Sequence, residues 1–456
     1  MSLNNYEKID REYLIHPMTH LAKFERGEID HRIMKSAKGV EIIDSNGNSY
    51  IDAFSGLYCV NVGYGCREII DAIKKQADEL SYYHCYYGNA TEASIKLSDM
   101  VIERSPNNMK KIYFGLSGSD ANDTNIKLLW YYNNLIGNTK KKKIISRIGG
   151  YHGASILTGS LTGLKNYHFN YDLPINGILH TEPAFYYHRD DLDQSEEEYS
   201  QFCADQLEDL ILKENPDTIA GFIAEPVMGN GGLVPPPSNY WPKIKNILEK
   251  YDIVLISDEV VTGFGRLGRM FGVDYFGIEA DMITIAKGIT SAYSPLSGSI
   301  LSEKISSVIT DATDKYGVWT HGSTYSAHPI SCAAGVANLN YIDSHKLLEK
   351  GQNASKYFNF KLKERFQDHP YVGEVRGIGL LSAIELIKDK EDRTFFEKQG
   401  KLSQDIVTKM AKKGVISRAM PAGDTIGFAP ALCITNEEID TILDVALLCI
   451  NDVINN

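Results

Sequence analysis

Cysteine is scarce and scattered: seven residues (Cys59, Cys66, Cys85, Cys203, Cys332, Cys433, Cys449), odd in number, with no Cys-x-x-Cys pair. That spacing excludes a disulfide framework and a structural zinc site and suits a reducing compartment, so no metal is expected. Long apolar runs are also missing. Nothing approaches the roughly 18 residues that a membrane helix needs, and no membrane partner is expected. Residues 1–13 are polar and mixed in charge, unlike a signal peptide. Positive charge is in deficit, with a formal net charge of −12. The single basic run, 140–143, stands just before an apolar strand and reads as a solvated strand edge rather than a nucleic-acid patch. There are no internal repeats and no low-complexity segments. A chain of 456 residues is long enough for two or three domains with a large core. These absences together point to a cytoplasmic α/β protein of enzyme size, with no nucleic-acid partner.

What is present concentrates in residues 253–288. Two short apolar runs, 253–256 and 282–286, are rich in β-branched residues and predict buried strands. Each ends on charge: Asp258-Glu259 after the first, Lys287 after the second. Ligands of an open α/β sheet collect at the carboxyl ends of its strands, so one crevice is offered a carboxylate and a lysine. A partly desolvated lysine has a lowered pKa and can form a Schiff base with a carbonyl. A fixed carboxylate facing a pyridinium nitrogen is the other half of what pyridoxal phosphate (PLP) requires. The plainer reading of each residue is a solvent-facing lysine and a turn-forming or capping aspartate. Gly263, Gly265 and Gly268 have the spacing of a dinucleotide fingerprint. Residues 258–262 separate them from the strand, however, and no amphipathic helix follows, so they predict a glycine-rich loop. An NAD-binding oxidoreductase is the remote alternative.

Elsewhere, 39–52 predicts a hairpin about Asn46-Gly47, and 53–64 an irregular, aromatic loop of the kind that lines pockets. Helical spacing runs over 68–80 and 92–104. A strand from 111 leads through Ser117-Gly118-Ser119-Asp120 into a helix. Two readings fit that turn: an anion site suited to a phosphate, or a plain N-cap at Ser119 or Asp120. Without Gly-Lys-Ser/Thr it is no P-loop. A strand at 143–147 ends in Gly149-Gly150-Tyr151-His152-Gly153, where the tyrosine either lies against a planar ring or is a simple loop residue. An excursion is expected at 180–198, an acidic helix at 196–215, a buried strand at 218–225 ending on Glu225, and a flexible turn at 229–232. A helix over 240–251 and a strand over 294–301 complete an alternation that predicts a mostly parallel sheet covered by helices. From about 343 the style changes to charged helices with strands in 373–386 and 414–428, and Thr435–Glu438 offers a capping box. The expected division is 1–60 (contributing to a small domain and an entrance loop), 61–342 (large domain) and 343–456 (C-terminal small domain).

The motifs LSGSDAND, GGYHG, AEPV, ISDEVVTGFGRLG with DMITIAKG, and HGSTYSAHP, in this order, closely resemble those of class III aminotransferases, PLP enzymes of fold type I. GLYCVNVGYG and YYHCYYGNATEAS are similar to the ω-amino acid and amine:pyruvate transaminase branch. The resemblance runs from about residue 10 to the C-terminus. It implies an α/β fold whose large domain holds a mostly parallel sheet, with a smaller α+β domain built from both chain ends. Lys287 is implied to carry PLP and to shuttle a proton, and Asp258 to pair with the pyridinium nitrogen. Tyr151 would stack on one ring face and Val260 pack on the other. Ser117, Gly118 and Ser119 would hold the phosphate, with His152 and Glu225 also at the cofactor. Thr324 would reach the phosphate of a neighbouring subunit, which implies a homodimer, or a tetramer, with composite sites. Arg418 would bind the acceptor's carboxylate and otherwise pair with Glu225 or swing away. Tyr58, Tyr151, Asn230 and Arg418 would face substrate. Asp120, Tyr58, Asn230 and Ser323 depart from the family's usual Glu, Trp, small apolar residue and Phe. Asp120 is a conservative change, whereas Tyr58, Tyr86, Tyr87 and Asn230 give a polar rim compatible with diamine, β-alanine or taurine-like donors as well as arylalkyl amines. The implied reaction is ping-pong transfer to pyruvate. An aminomutase or racemase on the same scaffold is the alternative.

Overall fold

The computed structural model describes residues 3–454. Near the N-terminus, β1 (Met34–Lys38), β2 (Glu41–Asp44) and β3 (Ser49–Asp52) form an antiparallel meander. The predicted turn closes it. Asp44 accepts the backbone N–H of both Asn46 and Asn48 at 2.9 Å, and Gly47 takes a φ of 86°.

The main sheet comprises β4 (Met109–Gly115), β5 (Lys143–Arg147), β6 (Ile178–Thr181), β7 (Ile219–Ala224), β8 (Val254–Asp258), β9 (Met282–Ile285) and β10 (Ser297–Ser302). Their spatial order is β4-β10-β9-β8-β7-β5-β6. From β6 across to β9 all pairings are parallel, and β10 is antiparallel to both its neighbours. The central strands β7 to β10 are buried over their whole lengths. Alternate residues enter different cores: Phe222, Leu255 and Ile283 join one cluster, while Ile223, Val254, Ile256 and Met282 join another. That period of two, with apolar residues on both faces, is why these strands read as unbroken apolar runs.

β6 has no predicted counterpart, and its last two residues overlap the start of the excursion expected at 180–198. It is a short edge strand with two half-buried residues, Leu179 and His180, and so lacks the apolar signature of its neighbours. Two helices without a predicted counterpart, Leu3–Tyr13 and Glu303–Tyr316, are likewise surface elements.

Beyond 343, β11 (Val372–Ile378), β12 (Leu381–Leu386), β14 (Arg418–Ala419) and β15 (Thr425–Phe428) form a second sheet in the order β11-β12-β15-β14, and β13 (Val415–Ile416) pairs in parallel with β3. Both chain ends therefore share one sheet. The last helix, Asn436–Ile454, carries the expected capping box. Thr435 N–H donates to Glu438 Oε2 at 2.8 Å and Glu438 N–H to Thr435 Oγ1 at 3.2 Å. Among the described residues no helix is long and apolar enough to cross a membrane, and no cluster of His, Cys, Asp or Glu could hold a metal.

Candidate active site

Because β8 and β9 are adjacent and parallel, their carboxyl ends deliver Asp258 and Lys287 to the same edge of the sheet. Asp258 is buried and strongly supported. Its Oδ2 accepts from Asn122 Nδ2 and meets His152 Nδ1, each at 2.8 Å, while its Oδ1 accepts the Val260 N–H at 3.1 Å. No lysine or arginine neutralises it among the described residues, so a cationic ligand atom can take that role. The His152 main chain is fixed too: its N–H donates to Thr162 Oγ1 at 3.0 Å and its carbonyl accepts from Asn122 Nδ2 at 2.8 Å.

Asn122 is a site residue that sequence reasoning missed. It lies on the helix Gly118–Leu135 and, with Asn125, grips Thr284 of β9. Thr284 Oγ1 donates to Asn122 Oδ1 at 2.6 Å and accepts from Asn125 Nδ2 at 2.7 Å. The available signal was two asparagines one helical turn apart among apolar neighbours, which a packed helix face tolerates only when both amides are satisfied.

Lys287 holds a left-handed backbone, φ 47°, at the start of a short 3-10 turn. Such a conformation costs a non-glycine residue energy and persists only when its surroundings fix it. Here Asn338 Nδ2 donates to the carbonyls of Gly288 and Ile289, both at 2.9 Å. Gly288 lies so close to Asn61 that a Cβ would sit 2.5 Å from its Nδ2. The Lys287 ammonium lies 5.0 Å from the centre of the Tyr58 ring, and burial pulls its pKa below the ordinary lysine value. Tyr58 is itself buried rather than on a rim, and its phenol is pushed upward by desolvation.

The helix Gly118–Leu135 starts as an anion site should, but its cap is Ser117, not Ser119 or Asp120. Asp120 reaches back to the N–H groups of Leu116 and Ser117, at 2.8 and 2.7 Å. Ser119 Oγ is left facing the 153–154 loop, where it accepts the Ala154 N–H at 3.3 Å. Gly118 presses on Val260: a Cβ there would lie 3.1 Å from Val260 Cγ2. The cap expected at Ser119 or Asp120 thus falls to Ser117, while the first-turn N–H groups and Ser119 stay near the sheet edge.

Tyr151 is half-buried against Tyr167, ring centres 5.3 Å apart. Its N–H donates to Glu225 Oε1 at 3.3 Å, as does that of Gly229 at 3.2 Å. Glu225 Oε2 lies 3.5 Å from the buried Arg147 guanidinium. Burial nevertheless raises the Glu225 pKa, against the pull of His152 and Arg147. Glu225 and Arg418 are not brought together: Arg418 Nη1 donates to Asn230 Oδ1 at 3.0 Å. Thr324 is exposed, its carbonyl accepting from Tyr82 Oη at 2.7 Å. The 263–268 loop has no space for a dinucleotide. A Cβ on Gly265 would meet Leu432 at 2.7 Å, and the Arg266 guanidinium is buried against the carbonyls of Ala429 and Pro430.

A lysine with a lowered pKa, an unneutralised buried carboxylate on a neighbouring strand and a helix N-terminus for an anion are the donor set that PLP requires.

Comparison with known proteins agrees with this geometry. The model of the family "aminotransferase class-III" matches residues 24–450. The diaminobutyrate–2-oxoglutarate transaminase of Halomonas elongata is 48% identical over 95% of this chain and 93% of its own length. The mitochondrial gamma aminobutyrate transaminase 1 of Solanum lycopersicum is 40% identical over 93% and 82% respectively. Among solved structures, a transaminase from directed evolution by ancestral reconstruction superposes with a TM-score of 0.98 at 49% identity, covering 100% of this chain and 99% of its own. The ω-transaminase of Pseudomonas jessenii in complex with PMP does so at 0.96 and 36% identity, covering 100% and 99%. Class III aminotransferases use PLP. With the family model spanning nearly the whole chain, the protein belongs to the class III aminotransferases and has their PLP-dependent fold type I architecture.

Proposed function

We propose that this aminotransferase binds PLP through Lys287 and moves an amino group from an amine or ω-amino acid to pyruvate by a ping-pong mechanism, as a cytoplasmic homodimer with composite active sites. The observation that carries the reading is the placement of Lys287 and Asp258 on adjacent strand ends, the carboxylate held by Asn122 and His152 at 2.8 Å. When bound, PLP supplies an electron sink for the carbon that loses its proton. Asp258, its orientation set by His152 and Asn122, would face the ring nitrogen and favour a proton there. Lys287, neutral more readily because it is desolvated, would shuttle the proton between the substrate carbon and the cofactor in each half of the exchange. Ser117, Gly118 and Ser119 would hold the phosphate at the helix N-terminus, and Tyr151 and Val260 would pack against the ring. Glu225 braces the loop bearing Tyr151. Arg418 receives a substrate carboxylate and lets an uncharged amine tail share the same space. Exposed Thr324, beside the exposed Tyr82, Tyr83, Tyr87 and Tyr325, supports a second copy covering this face.

A second acceptor is favoured by one observation: the Halomonas elongata relative is named for 2-oxoglutarate. Initial rates with a panel of diamines, β-alanine, taurine and arylalkyl amines test both. Parallel double-reciprocal lines with alanine as product support pyruvate, whereas glutamate formed only from 2-oxoglutarate replaces it. Conversion of an amine without any oxo acid points instead to an aminomutase or racemase.

A further inference from the structure

Arg418 rests on β14, half-buried, its guanidinium 5.6 Å from the centre of the Phe54 ring and 6.0 Å from that of Tyr58. Its Nη1 donates to a neutral amide, Asn230 Oδ1, at 3.0 Å, the guanidinium also interacts with the neutral Tyr58 phenol, and it has no ion pair among the described residues. The carboxylate best placed by sequence to neutralise it, Glu225, is engaged by Arg147 and by the N–H groups of Tyr151 and Gly229.

The turn that carries this amide is tied at several points. Asn230 is only 8% exposed. Met228 and Val234 pair across the base of the turn, and Gly229 N–H is tied to Glu225 at 3.2 Å. On the far side, Arg376 of β11 donates from Nε to the Gly232 carbonyl at 2.8 Å, and is itself clamped by Glu374 at 2.6 Å and by Glu385. Arg376 and Arg418 belong to the same small sheet, so that sheet grips the turn at two points.

We propose that Asn230 is a positioning residue for substrate selection: it fixes Arg418 without quenching its charge, so that the site favours substrates bearing a carboxylate distal to the amino group over amines with uncharged tails. The inference rests on the reading of Arg418 as the carboxylate receptor. The physical reason is electrostatic. A neutral acceptor orients the fork through one hydrogen bond, whereas a carboxylate there would form a charge-assisted pair that an incoming substrate must break.

The test uses the PLP-loaded wild type, Asn230→Asp and Asn230→Ala. KM and kcat are measured for pyruvate, for a carboxylate-bearing donor (β-alanine) and for 1-phenylethylamine. Asn230→Asp, nearly isosteric, is expected to raise KM for pyruvate and β-alanine by about tenfold while leaving KM for 1-phenylethylamine within about twofold. Asn230→Ala, which frees Arg418 without neutralising it, is expected to raise the carboxylate KM values only about two- to threefold. Equal changes for all three substrates in Asn230→Asp mean a merely structural role and overturn the proposal, as do unchanged KM values throughout. Absence of amino transfer in the wild type contradicts the functional reading instead, so the two failures are distinct.

Discussion

His152 Nδ1 lies 2.8 Å from Asp258 Oδ2, both groups buried beneath the crevice at the ends of β8 and β9. The imidazole orients the carboxylate, and Asn122 holds the same oxygen from the helix Gly118–Leu135. Asp258→Asn places an amide NH2 or a neutral oxygen where an anion is needed and sets donors against donors at Asn122. It is expected to lower kcat by at least about a hundredfold, measured against wild type at saturating PLP. A near-normal rate removes Asp258 from its role.

Lys287→Ala is expected to abolish amino transfer while the fold and PLP binding largely persist. Its strained φ of 47° gives a second, independent expectation. Lys287→Gly, equally inactive, should be more stable than Lys287→Ala by about 0.5–1 kcal/mol, since glycine escapes the left-handed penalty but brings more freedom to the unfolded chain. Denaturant titration of the two variants measures the difference.

Gly153 occupies a φ of 138°, and a Cβ there would lie 2.3 Å from Thr158 Oγ1 and 2.5 Å from Ser119 Oγ. Gly153→Ala should cost about 2–3 kcal/mol in stability and displace Ser119. The expected result is a lowered melting temperature together with weaker PLP retention on dialysis.

Burial lowers the pKa of His180 from 6.5 to about 4. The folded state therefore excludes a proton that the unfolded chain accepts between those values. This contribution to stability is complete above pH 6.5 and is lost as pH falls toward about 4. Allowing for solvent screening of the half-buried ring, it amounts to up to about 2 kcal/mol. His180→Asn should flatten the fall in melting temperature over that window, and an unchanged profile contradicts the assignment.

The readability of the sequence followed burial. β7, β8 and β9 are covered on both faces, so their apolar runs announced strands and their ends announced Asp258 and Lys287. β6 and the surface helices Leu3–Tyr13 and Glu303–Tyr316 carry mixed surfaces and left no such mark. The turn at Ser117–Asp120 was legible as a helix start, but which hydroxyl caps it depends on backbone angles that composition does not encode. Asn122 carried only the faint signal of an asparagine pair one helical turn apart, because its importance comes from β8 and β9, far along the chain. The partners of Glu225 and Arg418 were hidden for the same reason: Arg147 reaches Glu225 through the pairing of β5 with β7, and Asn230 reaches Arg418 through the packing of the small sheet on the 229–232 turn.

The central claim is a reversible exchange at Lys287, and a half-reaction measured by visible spectroscopy tests it most directly. Purified protein loaded with PLP is mixed with one amine at a time, without oxo acid, and the visible band of the lysine-bound cofactor is followed. The account predicts bleaching by at least one amine and restoration of the band by pyruvate. A protein that shows no such band after PLP is added, or a band that no amine bleaches, contradicts it.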